Sequence, residues 1–154
     1  MRALILSGIL LLAGCAGGPQ NQRALLYVSM TGIQEVPGPG DPDGNGTVEI
    51  NVDPRQAQLC WNLYARQIDP ATMAHIHRGA EGVAGPVVLA LATPDAAGHS
   101  QGCATIDPAL AREIAYQGHG FYANVHNAAY PGGAIRGQLR GGPVSRDQPP
   151  AGAR

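Results

Sequence analysis

The sequence predicts an all-β domain, a Greek-key-like antiparallel β-sandwich of about eight strands with one short helix. Three observations carry this. Apolar residues recur at every second position in short segments, as in Val48, Ile50, Val52 and again in Leu59, Trp61, Leu63, the period of a strand with one buried face. Glycine and proline, 22 and 13 of 154 residues, punctuate these segments at short intervals, as turns between strands require. Charged residues make up only 14% of the chain and apolar ones 44%, so the composition is that of a chain with a core rather than of a disordered one.

The elements follow in order. Residues 24–31 read as the first strand. The loop 38–46, Gly-Pro-Gly-Asp-Pro-Asp-Gly-Asn-Gly, is turn-rich. Its Asp41, Asp43 and Asn45 lack the bidentate glutamate that an EF-hand loop needs, so it reads as solvated. Residues 46–52 form the second strand, 53–56 a turn and 58–68 a long third strand. Residues 72–78 form the fourth, followed by a glycine-rich loop at 79–85. The fifth strand, 86–91, is wholly apolar, and a loop at 92–100 precedes the sixth at 102–106. Asp107-Pro108 places a helix N-cap before a proline at the first helical position. The helix runs to about residue 117 and stops at Gly118. Residues 120–126 and 133–140 are the last two strands, and Trp61, Leu63, Val88, Phe121 and Ile135 are the expected core. Residues 141–154, rich in Gly, Pro and Arg and without apolar periodicity, read as a disordered tail.

The N-terminus reads as a leader rather than as part of this domain. Met1-Arg2 is a basic start and residues 3–12 are an apolar run of about ten residues, too short to span a bilayer. The run ends in Leu12-Ala13-Gly14-Cys15, the pattern of a bacterial lipobox. Residues 1–14 are thus expected to be a lipoprotein signal peptide, Cys15 the lipidated mature N-terminus and 15–23 the anchor and tether. Several acyl chains on one cysteine anchor firmly, since each buried CH₂ contributes ~0.8 kcal/mol. Ala16, rather than aspartate, after the cysteine favours the outer membrane. The partner expected from this segment is therefore the membrane, and the place the cell envelope.

Two cysteines remain. Cys60 lies between the inward Leu59 and Trp61, and Cys103 precedes the inward Ala104, so both thiols project outward. In an exported protein such a pair is expected to form a disulfide. The chain contains no lysine, and without a basic patch no nucleic-acid partner is expected. No nucleophile-elbow serine, P-loop or dinucleotide-binding glycine loop is present.

Two histidine segments carry the remaining chemistry, Ala74-His75-Ile76-His77-Arg78-Gly79 and Tyr122-Ala123-Asn124-Val125-His126. If Ile76 and Val125 face the core, His75, His77 and His126 lie together on the outer face. Neutral imidazole suits both copper and zinc, and copper stands highest in the affinity order. The alternative is structural, with the imidazoles bonding the closing loops and Asn124. Arg136 offers a positive charge that would steer an anion. His99, in a loop, and His119, at the turn after the helix, suggest no chemistry.

Three motifs in order resemble the CHRD domain, the repeat of chordin and of many bacterial exported proteins. They are Thr31-Gly32-Ile33-Gln34-Glu35-Val36-Pro37, the His75/His77 segment with Gly85-Pro86-Val87-Val88, and 122–126 with Pro131-Gly132-Gly133-Ala134-Ile135-Arg136-Gly137-Gln138-Leu139. The resemblance covers residues 24–140 and implies a one-domain β-sandwich. It departs at Gly38, where a second proline is usual, and at Ala134, where an acidic residue is common. A weaker similarity links the His-x-His strand and the later Val-His strand to copper/zinc superoxide dismutases. The metal-bridging histidine and the zinc ligands of those enzymes have no counterpart here. Two functions are carried forward. One is a non-enzymatic binding or structural module of the envelope. The other is a periplasmic copper-binding protein using His75, His77 and His126, with dismutase-like chemistry as its furthest extension.

Overall fold

The computed structural model describes residues 21–144. Nine strands form one antiparallel sheet: β1 (Ala24–Thr31), β2 (Asn45–Asp53), β3 (Gln58–Arg66), β4 (Ala71–Arg78), β5 (Val87–Leu91), β6 (His99–Thr105), β7 (Phe121–Asn127), β8 (Ile135–Gln138) and β9 (Arg140–Pro143). One helix, α1 (Pro108–Tyr116), joins β6 to β7. The sheet order is β5-β4-β7-β8-β1-β2-β3-β6, with β9 also on β1. The pairing of β3 with β6 and of β4 with β7 gives the crossovers of a Greek-key-like fold.

The sheet is folded over, so the apolar faces of its two halves meet in one core. Leu26, Val28, Met30, Val48, Ile50, Leu59 and Leu63 come from one half, and Ala74, Ile76, Ala123, Val125 and Ile135 from the other. Burying a side chain such as Ile76 or Leu63 contributes ~1.5–3 kcal/mol. Of the expected core residues, Trp61, Leu63, Phe121 and Ile135 are buried, while Val88, on the edge strand β5, packs only partly against the cluster. The halves join where β8 meets β1 through the pair Arg136–Thr31. Gly137 is required there, because a Cβ would lie 2.2 Å from the carbonyl oxygen of Ser29. The opposite edges are tied by Ser100 of β6. Its hydroxyl accepts from the Trp61 indole at 3.1 Å and donates to the carbonyl of Ala92, just past β5, at 2.6 Å.

The helix begins as its sequence dictates. The Asp107 carboxylate accepts from the backbone N–H of Ala109 and Leu110 at 2.8 and 3.1 Å, and Ala111, Ile114 and Ala115 form its buried stripe. Arg78 at the end of β4 pairs with Glu113 on its outer side.

Most strand ends shift by one to three residues from the sequence reading, β3 ending at Arg66 rather than at residue 68, and two differences are larger in consequence. The expected final strand is broken at Leu139, and its second part, β9, extends to Pro143, so residues 141–143 belong to the sheet instead of the disordered tail. Residues 145–154 lie outside the described part, as do the leader and Cys15. His99 opens β6 rather than lying in a loop. It faces Tyr64 in the ladder, stacks on that ring at 4.6 Å and bonds the Asn62 side chain at 2.9 Å. Pairing with β3 recruits these residues although they carry no apolar alternation.

Cys60 and Cys103 stand directly opposite in the β3–β6 ladder, with Cα atoms 4.0 Å apart, and form a disulfide. It closes a segment of sequence separation 43 and fastens the edge strand β6. Replacing both cysteines with serine is expected to lower stability by ~2–4 kcal/mol, read as an earlier midpoint in denaturant, with the loss centred on exchange protection in β6. An unchanged midpoint would show that the ladder alone holds this edge.

Candidate metal centre

The β4–β7 register builds the site. His75 pairs with Asn124, His77 with Tyr122 and Met73 with His126. Directly paired residues share a face, so the imidazoles stand together on the side of the sheet away from Ile76 and Val125. The β7–β8 ladder adds Arg136 opposite Asn124 and Gln138 opposite Tyr122. The result is a polar patch on the outer face.

That patch is covered. His77 and His126 are buried and His75 half-buried. The cover is the glycine-rich loop after β4, held by side chains of the patch. The Arg136 guanidinium, 2% exposed, donates to the carbonyls of Ala80 and Val83 at 3.1 and 2.9 Å. It also lies 3.4 Å from the centre of the Tyr122 ring, which stacks on His77 at 4.7 Å and 10°. Gln138 donates to the carbonyls of Gly79, His119 and Phe121 at 2.8 Å each. Arg136 is thus a buried clamp, and the expectation of a solvent-facing charge that steers anions is corrected. The two loop carbonyls in turn give the buried guanidinium acceptors for its Nη2 group.

The three imidazoles each offer one nitrogen to a common point, and these atoms lie within 4.8 Å of one another. Backbone carbonyls orient two of the rings. His77 Nδ1 donates to Gly85 O at 2.8 Å and His126 Nδ1 to Pro131 O at 3.0 Å. Each must carry its proton on Nδ1, because a carbonyl only accepts. The Nε2 lone pairs are therefore free. That of His77 is buried without a partner, and that of His126 faces His75 Nδ1 at 3.2 Å. Two nitrogens bound at 2.0–2.1 Å to one ion stand about 2.9 Å apart at a right angle and about 3.4 Å apart at the tetrahedral angle. The 3.2 Å between His75 Nδ1 and His126 Nε2 falls between, whereas the trio as a whole spreads to 4.8 Å, so the rings would have to close in around one ion. Without an ion, His75 Nδ1–H donates to His126. For His75 to hold an ion through Nδ1, that proton would have to sit on Nε2 instead.

Electrostatics favour the neutral form of two of the donors. Burial lowers the pKa of His75, and the nearby His126 and His77 lower it further. Burial also lowers that of His126, against the opposing effect of the Pro131 carbonyl. Both are neutral at pH 7, the state that binds metal. No carboxylate or thiol joins the three imidazoles in the one such cluster found among the described residues. Of the alternative partners expected for the rings, the closing loops are used, but the side-chain oxygen of Asn124 is buried without a bond.

Residues 26–139 match the family model of the CHRD domain. The chain belongs to the CHRD domain family. No curated protein and no solved structure matches it. The histidines, the disulfide and the Arg136 clamp all fall within the matched CHRD segment.

The structure also shows a role for the opening CHRD motif that sequence reasoning missed. Glu35 is buried beside the closing motif. A Cβ on Gly133, whose φ is +142°, would lie 2.3 Å from its carboxyl carbon. Glycine is needed at 133 both for that backbone angle and for this contact. Burial raises the Glu35 pKa from 4.5 to about 7, against the opposing charge of Arg136 and the N–H of Val36. A folded-state pKa above the unfolded value stabilises the fold fully below about pH 4.5, and this contribution is lost as pH rises through about 7. Stability should therefore fall by about 2 kcal/mol between pH 5 and 8, and Glu35→Gln should flatten that slope. Denaturant midpoints across this range test it; the same slope in both proteins would assign it to other groups.

Proposed function

We propose that this CHRD-domain chain is a lipid-anchored module of the cell envelope whose ligand is a transition-metal ion, copper before zinc, bound by His75, His77 and His126. The observation that carries this reading is the clustering of three imidazoles, two of which have their tautomers set by backbone carbonyls. Such outer partners fix ring direction and raise ligand basicity. The His77 Nε2 atom is buried and meets no protein donor, a state it shares with four other buried polar atoms among the described residues, so it is open to an ion or a water. Copper is placed first because imidazole sites follow the general affinity order.

Binding, rather than turnover, is the function proposed. A dismutase-like role would need ligands for a bridged second metal. His99 is engaged with Tyr64 and Asn62 on the other half of the sheet, and His119 lies in the 3-10 turn Gly118–Gly120.

Two measurements test the proposal. Metal analysis of the purified full-length protein after exposure to Cu(II) should find a single bound ion. His75→Ala should weaken binding by at least the ~10–100-fold that loss of an outer partner costs. His75 is half-exposed, so this variant should keep the wild-type circular dichroism. Equal copper retention in both proteins would remove the site. Separately, Cys15→Ser should move the protein from the membrane fraction to the soluble fraction of the envelope; unchanged partitioning would refute the lipid anchor.

A further inference from the structure

Met73 extends the histidine strand. It occupies the alternate position before His75 and His77 on β4 and therefore shares their face. In the ladder it stands directly opposite His126, a relation that puts Cβ atoms about 4.5–5.5 Å apart. The ladder has an irregularity between Ala71 and Met73, and such a bulge re-aims the side chain that follows. The Met73 side chain is 44% exposed and so is not committed to the core. His77, by contrast, lies under the loop that Arg136 holds. Met73 thus stands at the solvent side of the trio, on the side left open by the covered end.

We infer that the Met73 thioether is a fourth ligand of this centre and makes it a site for monovalent copper. The inference rests on the three-histidine reading and specifies its metal. A thioether is a soft donor that favours Cu(I) over Zn(II). The remaining donors are neutral imidazoles, and the cluster holds no carboxylate. A neutral donor set leaves the full charge of the ion in a half-buried place, so a singly charged ion pays a smaller desolvation penalty than a doubly charged one. The flexible, unbranched Met side chain can reach the ion from across the strand pair without moving the backbone.

The test uses the purified full-length protein, kept anaerobic and titrated with Cu(I) against the chromophoric chelator bicinchoninate. Met73→Leu keeps the volume and removes the sulfur. It should weaken Cu(I) binding by about tenfold or more while changing Zn(II) binding by less than about threefold. The methyl carbon resonance of Met73 should shift on Cu(I) addition, while that of the core residue Met30 stays in place. Wild-type Cu(I) affinity in Met73→Leu, with an unmoved Met73 methyl signal, would overturn the inference and leave the three-histidine site standing. A wild-type protein that takes up neither copper nor zinc would overturn both.

Discussion

The candidate centre depends on the register of β4 against β7. Antiparallel pairing puts His75 opposite Asn124 and His77 opposite Tyr122, and a slip of one residue would reverse both faces. Ile76 and Val125 would then be expelled from the core and the imidazoles driven into it. The apolar core is therefore what holds the polar face in place. Each buried Ile or Val on the inner side of these strands resists the slip with its own transfer free energy, so the site needs no separate device to set its alignment.

The outer face carries a second layer, and its chemistry is polar. Arg136, Gln138, Tyr122 and Glu35 are all buried there, and each is placed by a neighbour's backbone. Arg136 and Gln138 satisfy carbonyls of the loop that closes over His77, and Tyr122 lies between the guanidinium and the imidazole ring. The family motifs thus serve the fold first. They let a glycine-rich loop lie on a sheet without leaving its carbonyls bare. The histidines use the same device in reverse. The Nδ1 protons of His77 and His126 satisfy carbonyls of Gly85 and Pro131, the Nε2 of His126 faces Nδ1 of His75, and that of His77 is buried without a protein partner.

Much of this was legible in the chain. The alternation of Val48, Ile50 and Val52, and of Leu59, Trp61 and Leu63, identified β2 and β3, and the outward parity of Cys60 and Cys103 anticipated their bond. The same parity placed three histidines on one face. Less legible was anything whose signal is not periodic. The strand β9 has no apolar alternation, because Arg140–Pro143 is placed by backbone pairing to β1 rather than by a buried face of its own. Arg136 looked like a surface charge because a buried arginine is recognised only by the carbonyls it meets, and those come from a loop more than fifty residues away in sequence. Met73 had a sequence signal, the period-two series Met73, His75, His77, but its bearing on the site required knowing that His126 lies opposite.

The sequence by itself determined the fold class, the order of most elements, the disulfide pair and the face shared by His75, His77 and His126, because these follow from local periodicity and turn chemistry. Only the tertiary structure decided that the three imidazoles converge, which nitrogen of His77 and of His126 is free, and that Arg136 and Glu35 are buried. Those outcomes depend on register between strands distant in sequence and on carbonyls supplied by loops, and no local pattern of residues encodes either.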